Sequence, residues 1–216
     1  VKKNYRELDF TLTKGVSSVT MNFRVDNEGV AYRYNVDADT TASDEYVSVI
    51  RENSSFTLPD TTDYWTQPYS PTYEASQYTK CTSDQMRSKA ETIGAPILAD
   101  TGSAWVLLAE ADVFSREDAY CASVFITERG STRIRSYFGQ NLWDEDGGEQ
   151  FHKIVYERNH EFLEKIINGT GRKKNVPVPA TDMVVFTDKF TTAWRVAIMG
   201  ETLNDVTSST LVHDLN

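Results

Sequence analysis

Val19-Thr20-Met21-Asn22-Phe23-Arg24-Val25, then Asp26-Asn27-Glu28-Gly29, then Val30-Ala31-Tyr32-Arg33-Tyr34-Asn35-Val36 is the run whose reading decides the fold. On both sides of the turn, apolar and polar residues alternate with the period of two that gives a strand one side-chain set per face. Val, Phe and Tyr suit a pleated surface. The Asp-Asn-Glu-Gly cluster supplies turn chemistry, so the run reads as a hairpin whose second strand pairs with its first. Working outward, residues 10–13 form an earlier strand that stops at Lys14-Gly15. Further strands are expected at 46–50, 55–58, 104–109, 124–127 and 134–138, each bounded by Gly, Pro, Asp or Ser, and again at 183–186 and 194–199. Many short strands without alternating helices mean a mainly β, antiparallel β-sandwich. A chain of 216 residues suffices for one such domain over 1–216.

Two stretches break the pattern. Residues 60–78 hold Tyr64, Trp65, Tyr69, Tyr73 and two prolines with little periodicity, which reads as a long ordered loop closed by its own aromatics. Such a loop lines a cleft or covers the core, and the sequence leaves both open. In 149–168, Phe151, Ile154, Val155, Phe162, Leu163, Ile166 and Ile167 recur at roughly helical spacing before Asn168-Gly169. This predicts an amphipathic helical insertion.

Hydrophobic residues make up 39% and aromatics 12% of the chain, enough for a packed core. The net charge of −10 argues against nucleic acid as a partner, because a polyanion would be repelled. No apolar run approaches the roughly 20 residues that span a bilayer, so no membrane partner is expected, and no signal-peptide pattern opens the chain. The start at Val1 reads as a processed or excised piece. Cys81 and Cys121 are either a disulfide or two buried thiols.

Candidate chemistry is sparse. His152 and His160 stand eight apart on the predicted helix, too far to share a metal, and with His213 they form no ligand cluster. Nucleophile elbows and glycine-rich phosphate loops are absent. Asn53-Ser54-Ser55 and Asn168-Gly169-Thr170 match the glycosylation triplet, a pattern common by chance. Hard cations such as calcium need many oxygens. Residues 144–149 have the acidic composition but not the spacing of a calcium loop, and read as a solvated turn. Glu110-Ala111-Asp112 differs because it ends the apolar strand Trp105-Val106-Leu107-Leu108-Ala109, placing a carboxylate on a rigid rim. From the residues alone it is a charged strand end. Arg33 and Arg195 read either as buried ion-pair partners within the sandwich or as groups that reach a substrate.

Five segments in this order resemble the N-terminal domain of glycoside hydrolase family 97: residues 23–34, Ser55-Phe56-Thr57-Leu58-Pro59 with Tyr73-Glu74, Ala95-Pro96-Ile97-Leu98, residues 106–113, and Thr192-Ala193-Trp194-Arg195-Val196. The resemblance lapses between about 115 and 182. It implies a β-supersandwich with one or two inserted helices, part of an α-glucosidase or α-galactosidase of the bacterial periplasm or exterior. Such an enzyme carries its two catalytic carboxylates on a (β/α)8 barrel. The resemblance makes this domain a lid on the barrel's catalytic face and implies that one glutamate from it joins an active-site calcium. By position in the motif that residue is Glu110, with Asp112 as the second choice. Calcium is thus a cofactor of the full enzyme, and an α-linked oligosaccharide its substrate.

The sequence departs from the family pattern in its missing first strands, its missing barrel, its unfamiliar middle, and Ala193 where proline is usual. This chain alone is therefore expected to have no glycosidase activity, and the specificity and stereochemistry of the parent lie elsewhere. A bare barrel-facing surface would favour a homodimer. The alternative reading is a stand-alone carbohydrate-binding or structural β-sandwich. Tyr64, Trp65, Tyr69 and Tyr73 would serve a sugar ring or the barrel, and are read as packing on the barrel.

Overall fold

A computed structural model describes residues 5–37, 47–49, 52–69, 77–88, 92–112, 119–120, 124–137, 184–186 and 189–215. Among them the strands are β1 (Arg6–Lys14), β2 (Ser17–Val25), β3 (Gly29–Asp37), β4 (Val47–Val49), β5 (Ser55–Thr57), β6 (Asp63–Thr66), β7 (Thr79–Thr82), β8 (Thr92–Gly94) and β9 (Ile97–Asp100). They continue with β10 (Trp105–Ala111), β11 (Ala119–Tyr120), β12 (Val124–Thr127), β13 (Arg133–Tyr137), β14 (Val184–Phe186), β15 (Lys189–Thr192) and β16 (Trp194–Gly200). Helices α1 (Ser83–Ser88), α2 (Leu203–Thr207) and α3 (Leu211–Asp214) are short.

The hairpin forms as its turn chemistry requires: β2 and β3 are antiparallel with Val25 opposite Val30, and Asp26 accepts from the amides of Glu28 and Gly29. β1 joins β2 through a turn in which Gly15 has φ +63. A ten-stranded sheet then runs β1-β2-β3-β16-β10-β9-β6-β7, with β15 on β3 and β11 parallel to β15. The second layer is the four-stranded sheet β5-β13-β12-β8, and β4 pairs with β14. The architecture is mainly β, the antiparallel sandwich that the alternation implies.

The pleat sorts the residues between layers. Tyr64, Ile97, Ala99, Val106, Leu108 and Ala197 point inward against Ile93, Phe125 and Ile134 of the smaller sheet. Ala31, Trp194, Val196 and Ile198 point outward beneath Val206, Leu211 and Leu215 of the C-terminal helical turns. Thr202 starts α2 with a capping box to Asp205, which satisfies otherwise orphaned amides.

The loop reading of 60–78 needs correction. Asp63–Thr66 is strand β6, paired on both sides by β7 and β9, and the Tyr64 ring is fully buried in the core. Four residues offer too few alternations for a pattern, and partners far along the chain decide the outcome. The same reason hid β7, β8 and β9. Cys81 is a free, buried thiol near the Thr66 hydroxyl, and Cys121 lies outside the described residues. The predicted helix at 149–168 and the acidic turn at 144–149 lie outside them too.

Gly29 of β3 leaves no room for a side chain against β16: a Cβ there would meet the Ala197 carbonyl oxygen at 2.2 Å. That oxygen is backbone and cannot swing aside. Gly29→Ala should therefore lower unfolding free energy by at least ~1–3 kcal/mol, the usual cost of overpacking, as read by urea denaturation. Gly102→Ala is a control for strain without collision, because Gly102 has φ +82 and open space around it.

Candidate functional site

Both candidate carboxylates lie at the end of β10, and the structure places each against an arginine. Glu110 is the last inward-facing residue of β10, opposite Arg195 of β16, which is in turn opposite Tyr32 of β3. Arg195 Nη1 donates to Glu110 Oε1, while Nε and Nη2 donate to the two oxygens of Glu52, the Nε bond measuring 3.0 Å. The Arg195 and Glu110 side chains are each 1% exposed and that of Glu52 is 5%. Asp112, just past the strand, adopts φ 59, a left-handed conformation that Asp tolerates better than most residues. Its Oδ2 lies 3.2 Å from Nη1 of Arg33. Arg33 stacks 4.4 Å from the Trp194 ring centre, on the outer face.

Arg33 and Arg195 are thus ion-pair partners inside the domain. Removing a guanidinium from water is costly, and the cost is offset only by well-aligned carboxylates. Arg195 has them on two sides, with one bidentate pair. Glu52 escaped sequence analysis because Arg51-Glu52-Asn53 reads as an ordinary polar connection. The available signal was indirect: Arg195 interrupts the apolar run Trp194–Gly200, and a buried cation needs acids beside it.

Hydroxyls complete the cluster. Ser54 donates to Tyr34 at 3.2 Å, and burial pushes the Tyr32 phenol up to about 12, opposed by its bond with Ser54 and joined by the nearby Glu52 charge. Tyr32 also touches Phe56 across the sandwich, with ring centres 6.1 Å apart. The other aromatic candidates separate by face. Tyr64 is in the core and has no face for sugar, whereas Trp65 stacks on Trp105 at 5.5 Å on the outer surface. Tyr69 is half-buried, and Tyr73 lies outside the described residues.

As a metal donor, Glu110 fits in kind: a hard oxygen on a rigid strand end, oriented by a hydrogen-bonded partner as ligating carboxylates commonly are. It does not suffice in number. Among the described residues, no three His, Cys, Asp or Glu come together as a metal-binding group. His213, at the end of α3, is exposed and belongs to no such group.

The family profile described as glycosyl-hydrolase 97 N-terminal matches residues 1–216. No curated protein matches the chain. Among solved structures, a glycoside hydrolase family 97 enzyme in complex with acarbose, from Pseudoalteromonas sp. strain K8, is similar with TM-score 0.59 and 14% identity over 100% of this chain. A structure described as beta-arabinopyranosidase is similar with TM-score 0.60 and 16% identity over 96%. The likeness extends to fold. The chain spans 30% of the first and 33% of the second.

Two outcomes are expected from the charge cluster. Arg195→Met strands two buried carboxylates and should cost about 3–5 kcal/mol, whereas Glu110→Gln, which keeps an acceptor for Arg195, should cost about 1.5–3 kcal/mol, both read by chemical denaturation. In an alkaline titration followed at the phenolate absorbance, a component assigned to Tyr32 should ionise near pH 12. Because its folded value lies above the unfolded one, the stability it contributes is complete below pH 10 and is lost as pH rises toward 12. Tyr32→Phe should remove that component and leave the rest of the alkaline profile unchanged.

Proposed function

The chain belongs to the glycosyl-hydrolase 97 N-terminal family, and on that premise we propose that it is the non-catalytic N-terminal domain of a bacterial α-glycoside hydrolase. The observation that carries the reading is that one domain family accounts for residues 1–216 while the chain spans only about a third of similar enzymes. In this reading the domain sits on the catalytic face of a (β/α)8 barrel and the chemistry belongs to that barrel. The parent acts on α-linked oligosaccharide, in the periplasm or outside the cell.

Glu110 is the residue we assign to the barrel's calcium, with Asp112 second. Two features support the order. Glu110 closes the inward row of β10, and Arg195 fixes its orientation. Asp112 is held instead on the outer side by Arg33. The remaining ligands would come from the barrel, where a bound calcium supplies positive charge that polarises the site. Within this chain, Arg195 holds the Glu110 carboxylate in place and is itself fixed from its other side by Glu52.

Calorimetric titration of calcium, and separately of a maltooligosaccharide, into this chain and its Glu110→Gln variant tests the reading. Neither ligand should bind the chain alone, since one carboxylate is far short of six to eight oxygens. In the parent enzyme, Glu110→Gln should weaken calcium binding at least about tenfold, the scale of a lost ligand-shell contact. Tight sugar binding by the isolated chain would replace the lid reading with a carbohydrate-binding module.

A further inference from the structure

Two carboxylates stand two positions apart at the end of β10, and they leave it on opposite faces. Glu110 turns inward to Arg195. In an extended strand Asp112 would turn inward as well, because side chains repeat with a period of two. Its carboxylate instead meets Arg33, which lies with Trp194 on the outer face. Among the described residues, Asp112 is the single non-glycine with a left-handed φ.

Glycine is the default for such a backbone, and a residue with a Cβ keeps it only where its surroundings hold it there. Arg33 does the holding. A planar guanidinium can stack on an indole and extend its N–H fork to a carboxylate at the same time, which a lysine ammonium cannot. The Arg33 Cζ is 4.4 Å from the Trp194 ring centre while Nη1 is 3.2 Å from Asp112 Oδ2. Trp194 is a firm support, since it is 4% exposed and packed in the outer core.

Register turns these contacts into a clamp. Glu110 is opposite Arg195 and Ala111 opposite Trp194, so adjacent residues of β16 serve both faces of the β10 end. Arg195 grips Glu110 directly, and Trp194 supports the arginine that grips Asp112. A strand end held on one face can still rotate and fray; held on both, it cannot. A partly buried ion pair adds little net stability, so what this one supplies is orientation.

We propose that Arg33 is a positioning residue: acting through Asp112, it fixes the end of β10 and with it the direction in which Glu110 presents its carboxylate to the calcium of the parent enzyme. The inference rests on the assignment of Glu110 to that ion. It gives Asp112 a part in the site that is not ligation.

A double-mutant cycle in the parent enzyme tests it, with Arg33→Gln, Asp112→Gly and the double variant, each titrated with calcium by calorimetry after metal removal. Glycine takes the left-handed turn without strain, so Asp112→Gly deletes the carboxylate and keeps the backbone. Each single change should weaken calcium binding about tenfold, the scale for a lost partner of a ligand. The double variant should bind no more weakly than either single, because both break the same contact. Asp112→Asn, which tolerates the turn and still accepts from Arg33, should retain most of the affinity. Losses that multiply in the double variant mean that Asp112 acts on the ion by itself and overturn the proposal. So does unchanged affinity in the singles, even with a lowered melting temperature, since a merely structural pair would move stability and leave calcium binding alone. Hydrogen exchange at residues 109–112 of this chain without metal gives an independent reading: Arg33→Gln and Asp112→Gly should each accelerate it about tenfold, and wild-type rates sink the clamp. If Glu110→Gln weakens calcium binding but neither clamp variant does, this inference alone fails. If Glu110→Gln changes nothing, the calcium assignment fails and this inference with it.

Discussion

Arg195 is a full cation at 1% exposure, and one end of the sandwich is organised around it. Glu110 answers it from the neighbouring strand and Glu52 from the connection that leads into β5. Because Glu52 belongs to the stretch that enters the second layer, this pairing also ties the two sheets together, beside the ring contact of Tyr32 with Phe56. A buried ion pair adds little net stability over apolar side chains of the same size, but breaking it is expensive. The cluster therefore acts as a constraint on register: a one-residue slip of β16 against β10 would turn Arg195 to the outer face and leave both acids buried without it.

The same parity explains what the sequence could and could not disclose. β2, β3, β10 and β16 are seven to nine residues long, enough alternation to be legible, whereas β1, nine residues long, was legible only at 10–13. β6, β8 and β9 have three or four residues, and their identity comes from neighbours rather than pattern. Pairing partners were legible only when joined by a tight turn. That β3 lies between β2 and β16 follows from no local feature, because Val30 meets Ala197 across most of the chain. For the candidate site, Glu110 and Asp112 were visible as charges at the end of an apolar strand. Their arginine partners were visible as two alternatives, and Glu52 was hidden in polar surroundings.

The two faces of the large sheet divide the labour. Helical turns α2 and α3 close the outer face over Trp194, Val196 and Ile198, so that side is finished by the chain itself. On the inner face the smaller sheet closes one half, and charge appears at the rim of that half. A domain of this kind is suited to being held by others at its edges while its own core stays fixed.

The pairing of β3 with β16 also has a consequence during synthesis. The β1–β2–β3 meander needs only local contacts and can form as soon as it leaves the ribosome, but one flank of β3 must wait for β16, which is translated only from residue 194 onward. At bacterial rates of roughly 5–20 residues per second the delay is on the order of 10–30 s. Throughout it, the nascent hairpin shows both an open strand flank and the Leu8–Phe10–Leu12 ridge to its surroundings. Holding factors that grip short apolar β segments would have their longest opportunity there, so the yield of this domain depends on how β1 to β3 is shielded before β16 arrives.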